Sequence, residues 1–176
     1  MPTELDSKDK LDIGKQAIWS VSSAKFGHSL ELLRDNNLET FWQSDGPQPH
    51  CVNLQFERRT AVQQLSFYND SKLDESYTPQ RISVRGGTDF HDLKELVMLE
   101  LEDLSGWTNI KLEDSPGSGK APQVFLLQFA VLLNQQSGKD THIRQLKIFS
   151  TKEPALIQDE QIPFEDPKFM QFANIR

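Results

Sequence analysis

The sequence has almost no cysteine. Cys51 is the single cysteine among 176 residues, so no internal disulfide can form, whereas secreted β-domains of this size often carry one. Residues 1–10 are polar and charged and lack the apolar core of a signal peptide. No apolar run approaches the ~18 residues that are needed to cross a bilayer. These absences predict a protein of the nucleus and cytoplasm that has no membrane partner.

Motifs for catalysis and metal binding are missing as well. The histidines form no HExxH motif, and no set of Cys and His has the spacing of a zinc site. A GxSxG elbow, a P-loop and a GxGxxG motif are all absent. The formal net charge of −7 opposes binding to phosphate backbones. The nearest basic cluster, Arg58 and Arg59 beside Glu57, is typical of a solvated turn between strands. We therefore expect no enzymatic activity, cofactor, bound metal or nucleic-acid partner.

What the sequence does contain is alternation of apolar and polar residues, which is typical of half-buried strands. The alternation is found at 52–56, 65–67, 82–84 and 146–148. The nearly continuous apolar run at 124–133 predicts a central strand buried on both faces. Periodicity alone would also fit a buried helix there, but the Phe and Val content favours a strand. Turn signals rich in Gly, Pro, Ser and Asp separate the runs.

Helical signals are few. Residues 29–34 predict one short helix, with Ser29 as its N-cap, and residues 92–98 fit either a second helix or a strand. Many short strands with little helix predict an all-β fold, a jelly-roll β-sandwich with one or two short helices. No internal repeat is found.

The periodic signal divides the chain into three parts. Residues 1–12 predict a flexible leader, residues 13–150 form the β-sandwich domain, and residues 151–176 form an extended tail with recurring prolines. The tail keeps apolar side chains that a purely solvated segment would not need, so part of it should pack on something. These are Ile162, Phe164, Phe169, Met170, Phe172 and Ile175.

Three segments carry chemistry that ordinary loops do not require. The first, residues 33–46, combines Phe41 and Trp42 with Asp, Asn and Ser. A structural role explains it well, with an aromatic ring closing one end of the sandwich while polar side chains cap turns. Calcium or sugar binding is the alternative, since Asp and Asn oxygens suit a hard cation.

The second and third segments are residues 74–79 and 135–145, both of which lie between predicted strands. Each could be a solvated loop, yet loops on a rigid scaffold are where binding groups usually lie. The two segments offer hydroxyl, carboxylate, imidazole and aromatic groups. The candidate ligand-binding residues are Asp74, Glu75, Ser76, Tyr77, Ser137, Asp140 and His142.

The three segments, in this order, resemble the DOC-domain subunit of the anaphase-promoting complex, a multi-subunit ubiquitin ligase. The resemblance covers residues 13–150 and rests on LRD at 33–35, NLETFWQSDG at 37–46, DESYTP at 74–79, and DTH and RQ at 140–145. It implies a galactose-binding-like jelly roll that catalyses nothing. It also implies that the end loops, with a WD40 coactivator, bind the destruction box (D-box) of substrates such as cyclins. Ser137 departs from the family pattern, which usually has Asn there, and so lacks the bidentate amide.

The last two residues, Ile175 and Arg176, strengthen the resemblance, because members of this family end in Ile-Arg. Such a terminus offers a carboxylate, a guanidinium and an apolar side chain together, which a tetratricopeptide (TPR) groove can hold. The resemblance therefore implies docking to a TPR scaffold subunit of the complex. Tethering to a domain that also contacts the complex would raise the effective concentration of this weak peptide.

Two other functions remain open from the residues. An intracellular carbohydrate- or lipid-binding jelly-roll module is the main alternative. A structural scaffold whose loops bind nothing is the other.

Overall fold

Strands dominate the fold, as the period-two alternation predicts. The computed structural model describes residues 4–102 and 105–152. Within them the strands are β1 Lys10–Asp12, β2 Ala17–Val21, β3 Trp42–Gln43, β4 His50–Ala61, β5 Gln64–Asp70, β6 Pro79–Gly87, β7 Lys94–Glu100, β8 Ser105–Lys111, β9 Gln123–Asn134, β10 His142–Ile143 and β11 Gln145–Thr151. The helices are short: α1 spans Ser71–Asp74, and 3₁₀ turns span Gly14–Gln16, Leu30–Leu33, Glu75–Tyr77 and Gln135–Ser137.

The strands pair into two main antiparallel sheets. One has the order β2-β4-β9-β6-β7 and the other the order β1-β11-β5-β8, and β3 with β10 forms a separate two-stranded ribbon. In the larger sheet Val52 pairs with Phe129, which in turn pairs with Val84, so β9 lies at the centre. The residues from Leu126 to Val131 are all buried, which confirms the predicted central strand.

The core lies between the two sheets. The alternating side chains Val52, Leu54 and Phe56 of β4 are buried, while Gln55 between them is exposed. The rings of Phe67 on β5 and Phe129 on β9 meet across the interface with their centroids 5.1 Å apart. Two sheets that bury their facing sides in this way are a β-sandwich, as predicted.

Three local predictions are settled by the structure. Residues 92–98, for which helix and strand were both open, lie mostly in β7. The predicted helix at 29–34 is a 3₁₀ turn, and Ser29 does not cap its backbone because the hydroxyl donates to Glu31 instead. At the predicted flexible leader the structure differs: Lys10–Asp12 pairs with Phe149–Thr151 as β1, and the Asp6 backbone N–H donates to Asn109 at 3.2 Å.

The predicted docking pair Ile175 and Arg176, with most of the predicted tail, lies outside the described residues. In the part of the chain that the structure does describe, no helix combines the length and apolar character that a membrane crossing requires.

The strand ends position the site. β9 ends at Asn134, which pairs with Pro79 at the start of β6, and β4 begins at His50 beside Val131. The loops before β4, before β6 and after β9 therefore emerge at the same end of the sandwich, and the β3–β10 ribbon crosses that end.

Candidate ligand-binding rim

The second and third predicted segments are packed directly against each other. A Cβ atom added to Gly138 would lie 1.9 Å from the carbonyl oxygen of Ser76, so only glycine fits between the two backbones. The Gln135 N–H donates to the Thr78 carbonyl at 2.9 Å. The two loops therefore form one surface rather than two independent ones.

The first segment joins the same end through backbone and hydroxyl contacts. The Ser44 N–H donates to the Thr141 carbonyl at 3.1 Å, and the Thr141 N–H donates to the Ser44 hydroxyl at 2.9 Å. The Gln48 amide donates to the Gly138 carbonyl at 3.2 Å. We call the outer surface formed by residues 46–48, 75–77 and 135–140 the rim.

A buried ion pair anchors the rim from below. The Asp74 side chain is 2% exposed and accepts hydrogen bonds from Arg144 Nε at 2.9 Å and Nη2 at 2.8 Å. His142 Nδ1 lies 3.0 Å from the same carboxylate. Burial alone would raise the pKa of Asp74, but the hydrogen bonds from His142 and Arg144 and the charge of the guanidinium outweigh it and lower the pKa below its ordinary value. Asp74 is therefore an ionised carboxylate that connects the second loop to His142 on β10 and to Arg144.

Four aromatic rings form a column under the rim. The centroids of His28 and Phe41 are 4.5 Å apart, those of Phe41 and His142 are 4.0 Å apart, and those of His142 and Tyr77 are 4.1 Å apart. The planes are tilted by only 10° to 24°, so all three contacts are stacked. Tyr77 is 38% exposed, so the column reaches solvent at the rim. An aromatic ring held in this way offers contact area that costs little entropy to order.

The seven residues predicted to bind a ligand are brought to the same end, but at different depths. Asp74 and His142 are buried and act on the rim from below. Ser76 and Asp140 are half-buried, and Asp140 accepts a hydrogen bond from Ser44 at 3.3 Å. The exposed members are Glu75, Tyr77 and Ser137.

Backbone strain marks the exposed positions. Glu75, Gln136 and Ser137 have φ values of 45°, 52° and 59°, in the left-handed region that side chains other than Gly, Asn and Asp seldom adopt. The Asn that the resemblance leads us to expect at position 137 would suit this backbone better than Ser does. Residues held in such conformations cluster at ligand-binding sites, where the surrounding structure enforces them.

Two depressions flank the third loop. A groove of about 270 Å³ lies on one side and a wider one of about 620 Å³ lies on the other. Apart from Ser137, none of the residues that line these grooves was predicted as a ligand contact. They include Gly46, Pro47, Gln48 and Lys139 in the first and Gln80, Glu100, Leu101, Glu102 and Gln136 in the second. The only signal for them was that Gly46, Gln136 and Lys139 fall within the chemistry-rich segments. Their amide and charged groups suit hydrogen bonding to an extended polar peptide.

The Asp74–His142 pair resembles the acid–base half of a catalytic site, but a substrate has little access to it. His142 is 8% exposed, and its Nε2 lies 3.1 Å from the Gln43 amide oxygen. Both ring nitrogens therefore face protein groups, which leaves neither free to accept a proton from a substrate. Among residues 4–102 and 105–152, no three His, Cys, Asp or Glu side chains are grouped to hold a metal ion.

Solved structures with a similar fold include carbohydrate-binding modules. The family 32 module from C. perfringens NanJ, determined in complex with galactose, superimposes with a TM-score of 0.64 at 8% identity and covers 80% of this chain and 99% of that one. The CBM32-1 and CBM32-2 domains of Clostridium perfringens ZmpB give a TM-score of 0.66 at 12% identity, covering 82% of this chain and 37% of that one. At such identities the likeness shows the fold alone, and it confirms the predicted galactose-binding-like jelly roll.

Sequence comparison identifies the family. A family model described as "Anaphase-promoting complex, subunit 10 (APC10)" matches residues 3–174. "Anaphase-promoting complex subunit 10" of Homo sapiens is 53% identical over 146 residues, which cover 83% of this chain and 78% of that protein. The Schizosaccharomyces pombe protein of the same name is 38% identical over 176 residues, covering 99% of this chain and 92% of that one. These matches confirm the resemblance read from the three segments, and the chain belongs to the family of anaphase-promoting complex subunit 10.

Proposed function

We propose that this protein is a non-catalytic subunit of the anaphase-promoting complex that recognises substrates and raises the processivity of ubiquitin transfer. Its family membership supports assembly into that ubiquitin ligase. The two ring nitrogens of His142 are engaged by Asp74 and Gln43, which supports a role in binding rather than in catalysis.

The ligand of the rim in this proposal is a D-box peptide of substrates such as cyclins, held between the rim and a WD40 coactivator. The observation that carries the proposal is the packing of Gly138 against Ser76, which fuses the two chemistry-rich loops into one rigid surface. A surface that is already ordered loses little conformational entropy when a peptide binds. Tyr77, Ser137 and Gln136 would then supply the ring face and the hydrogen-bonding groups.

Processivity follows from residence time. A neutral hydrogen bond contributes about 1 kcal/mol, which is roughly fivefold in an equilibrium constant. Affinity differences between related complexes lie mostly in the off-rate. A substrate that loses one rim contact would therefore leave sooner and receive fewer ubiquitins per encounter, without losing modification altogether.

Docking to a TPR scaffold subunit through Ile175 and Arg176 completes the proposal, together with a location in the nucleus and cytoplasm where the complex acts. Both residues lie outside the described residues, so this part of the proposal rests on what the family resemblance implies for Ile175 and Arg176. Co-purification of the complex with the full chain and with a chain that lacks residues 174–176 tests it. Equal recovery of the two chains would remove the tail from docking.

The rim is tested with exposed side chains, and because Tyr77 also stacks on the buried His142, each variant is first shown to be folded. Tyr77→Ala and Ser137→Ala alter exposed groups, whereas changes at Asp74 or His142 would disturb the interior. Matched controls are Ile18→Ala and Ser115→Ala, which are also exposed and lie away from the rim, on β2 beside Gln55 and on the loop after β8. In a reconstituted complex the rim variants should yield shorter ubiquitin chains on a D-box substrate, and the controls should yield chains of normal length. Chains of normal length from the rim variants would overturn the proposed role.

A carbohydrate- or lipid-binding function rests on the fold alone. A galactose complex is known for a relative in fold at 8% identity, which says nothing about the side chains of this rim. A glycan array with the purified chain would favour that function only if the binding were lost in Tyr77→Ala and retained in Ile18→Ala.

A further inference from the structure

A second polar cavity lies away from the rim, beside the start of β11. It has a volume of about 390 Å³ and is bounded by the 3₁₀ turn Gly14–Gln16, residues 34–36 and the first residues of β11. Three cations line it, Lys15, Arg34 and Lys147. We call it the basic cleft.

Arg34 is held in the basic cleft by an aromatic ring. Its guanidinium carbon lies 4.7 Å from the centroid of the Trp19 ring, within the range of a cation–π contact. Trp19 is 8% exposed and is itself fixed by an indole N–H that donates to the Gly14 carbonyl at 2.8 Å. Arg34 makes one long hydrogen bond, at 3.4 Å, to the same carbonyl. No carboxylate among residues 4–102 and 105–152 forms an ion pair with Arg34, so most of its guanidinium N–H groups have no protein acceptor in that part of the chain.

The other two cations differ in how firmly they are placed. Lys147 Nζ donates to the Asn36 side chain at 2.7 Å and lies 3.9 Å from the Asp12 carboxylate. Lys15 is exposed and has no ion-pair partner in the described part of the chain. Asp12 is the only acid among the described residues that line the cleft, so a lining of three cations and one carboxylate carries a surplus of two positive charges. This surplus stands out on a chain whose formal net charge is −7.

Two nearby carboxylates are already engaged. Asp12 accepts a hydrogen bond from the Gly14 N–H at 2.8 Å. Asp35, which is exposed between Arg34 and Asn36, accepts from the Thr40 hydroxyl, from the Gln145 amide and from the Asn37 N–H at 2.9 Å. Neither carboxylate forms an ion pair with Arg34 or Lys15. The positive charge of these two side chains is therefore available to an anion of another molecule.

We propose that the basic cleft binds the phosphoryl group of a phosphorylated peptide. A phosphomonoester carries about −1.5 to −2 charges at neutral pH, which matches the surplus, whereas a carboxylate would leave half of it uncompensated. The planar guanidinium of Arg34 suits bidentate bonding to phosphate oxygens, and its stacking on Trp19 reduces the entropy lost on binding. The site is separate from the rim, so the proposal neither needs the degron function nor fails with it.

The test follows the Trp19 indole N–H in ¹H–¹⁵N spectra of the full chain, with the resonance assigned from Trp19→Phe. The probe is N-acetyl-O-phosphoserine methylamide, compared with N-acetylglutamate methylamide and with inorganic phosphate. We expect a saturable shift of the Trp19 resonance with the phosphoserine derivative, at least about tenfold weaker binding of the glutamate derivative and weaker binding of inorganic phosphate.

Variants separate recognition from folding. Arg34→Gln should weaken binding about tenfold, and Lys15→Gln, which removes an exposed charge, about threefold. Asp12→Asn keeps the acceptor for Gly14 but removes a repelling charge, so binding should tighten. Lys120→Gln, an exposed change on the loop before β9, should have no effect. Absence of a saturable shift, unchanged binding in both Arg34→Gln and Lys15→Gln, equal binding of the glutamate derivative, or equal binding of inorganic phosphate would each overturn the proposal.

Discussion

Replacing Asp74 by Asn removes one negative charge and leaves the size of the side chain almost unchanged. In the parent protein this carboxylate accepts two hydrogen bonds from Arg144, whose side chain is only 6% exposed. The variant therefore leaves a guanidinium buried without a counter-charge. Removing one partner of a buried ion pair costs about 3–5 kcal/mol, because the remaining charge stays desolvated.

The predicted cost is large enough to measure without ambiguity. For a domain of this size each kcal/mol lowers the unfolding midpoint by roughly 2–4 °C, so Asp74→Asn should lower it by roughly 6–20 °C. Urea unfolding followed by tryptophan fluorescence gives the free energy independently. Arg144 also donates to the Leu38 carbonyl at 2.8 Å, so the first segment should loosen at the same time.

An exposed ion pair provides the matched control. Arg81 and Glu100 form a side-chain pair on β6 and β7 whose members are 41% and 70% exposed. Glu100→Gln removes the same charge type but should cost only about 0–1 kcal/mol, because both groups remain hydrated.

A double variant identifies the cause of the loss. Combining Asp74→Leu with Arg144→Met removes both charges, and apolar replacements of buried pairs are often neutral. This protein should be more stable than Asp74→Asn alone. A cost below about 1 kcal/mol for Asp74→Asn, or a double variant less stable than the single one, would refute the account of the buried pair.

Three other predictions concern the same end of the sandwich. The pKa of Asp74 is lowered in the folded state, so its contribution to stability is present above its ordinary pKa of about 3.9 and is lost as the pH falls through the lower folded value. The gap in unfolding free energy between the parent and Asp74→Asn should therefore close only in acid, and a gap that closes near neutral pH would contradict the assignment. Gly138→Ala places a Cβ against the Ser76 carbonyl, and by forcing the loops apart it should cost about 1–3 kcal/mol in urea unfolding and shorten ubiquitin chains; unchanged values for both would show that the loops are free to separate. Phe41→Leu breaks two stacked contacts, one of them to His142, and should lower the unfolding free energy by about 1–3 kcal/mol, whereas a loss below about 0.5 kcal/mol would mean that the column contributes little.

The strands could be predicted because their signal is local. Alternation at 52–56 and the apolar run at 124–133 both reflect burial that follows from the strand repeat of two residues. The helical turn at 29–34 was predicted, but the predicted Ser29 cap was wrong, because the Ser29 hydroxyl bonds to the neighbouring Glu31 carboxylate and not to a backbone N–H. β1 was missed because three residues with one apolar side chain carry no periodicity, whereas its contacts are long-range, namely pairing with β11 and a Lys10 bond to Gln64.

The depth of the site residues could not be predicted from the sequence. Asp74 was grouped with Glu75 as a possible ligand contact, yet its partners His142 and Arg144 lie 68 and 70 positions further along the chain and hold it in the interior. The positive φ of Ser137 likewise follows from the packing of two distant loops.

The basic cleft escaped the sequence analysis for the same reason. Its cations, Lys15, Arg34 and Lys147, come from three separate parts of the chain, so the sequence shows no local cluster of basic residues for the cleft. Only the cluster at 57–59 was visible in the sequence.

The most direct test of the central claim is the residence time of a fluorescent D-box peptide on the reconstituted complex, observed one molecule at a time. The account predicts that Tyr77→Ala shortens the residence time several-fold, while Ile18→Ala, on β2 and away from the rim, leaves it unchanged. Equal residence times for the two variants, in folded and fully assembled complexes, would contradict a role for the rim in holding the degron.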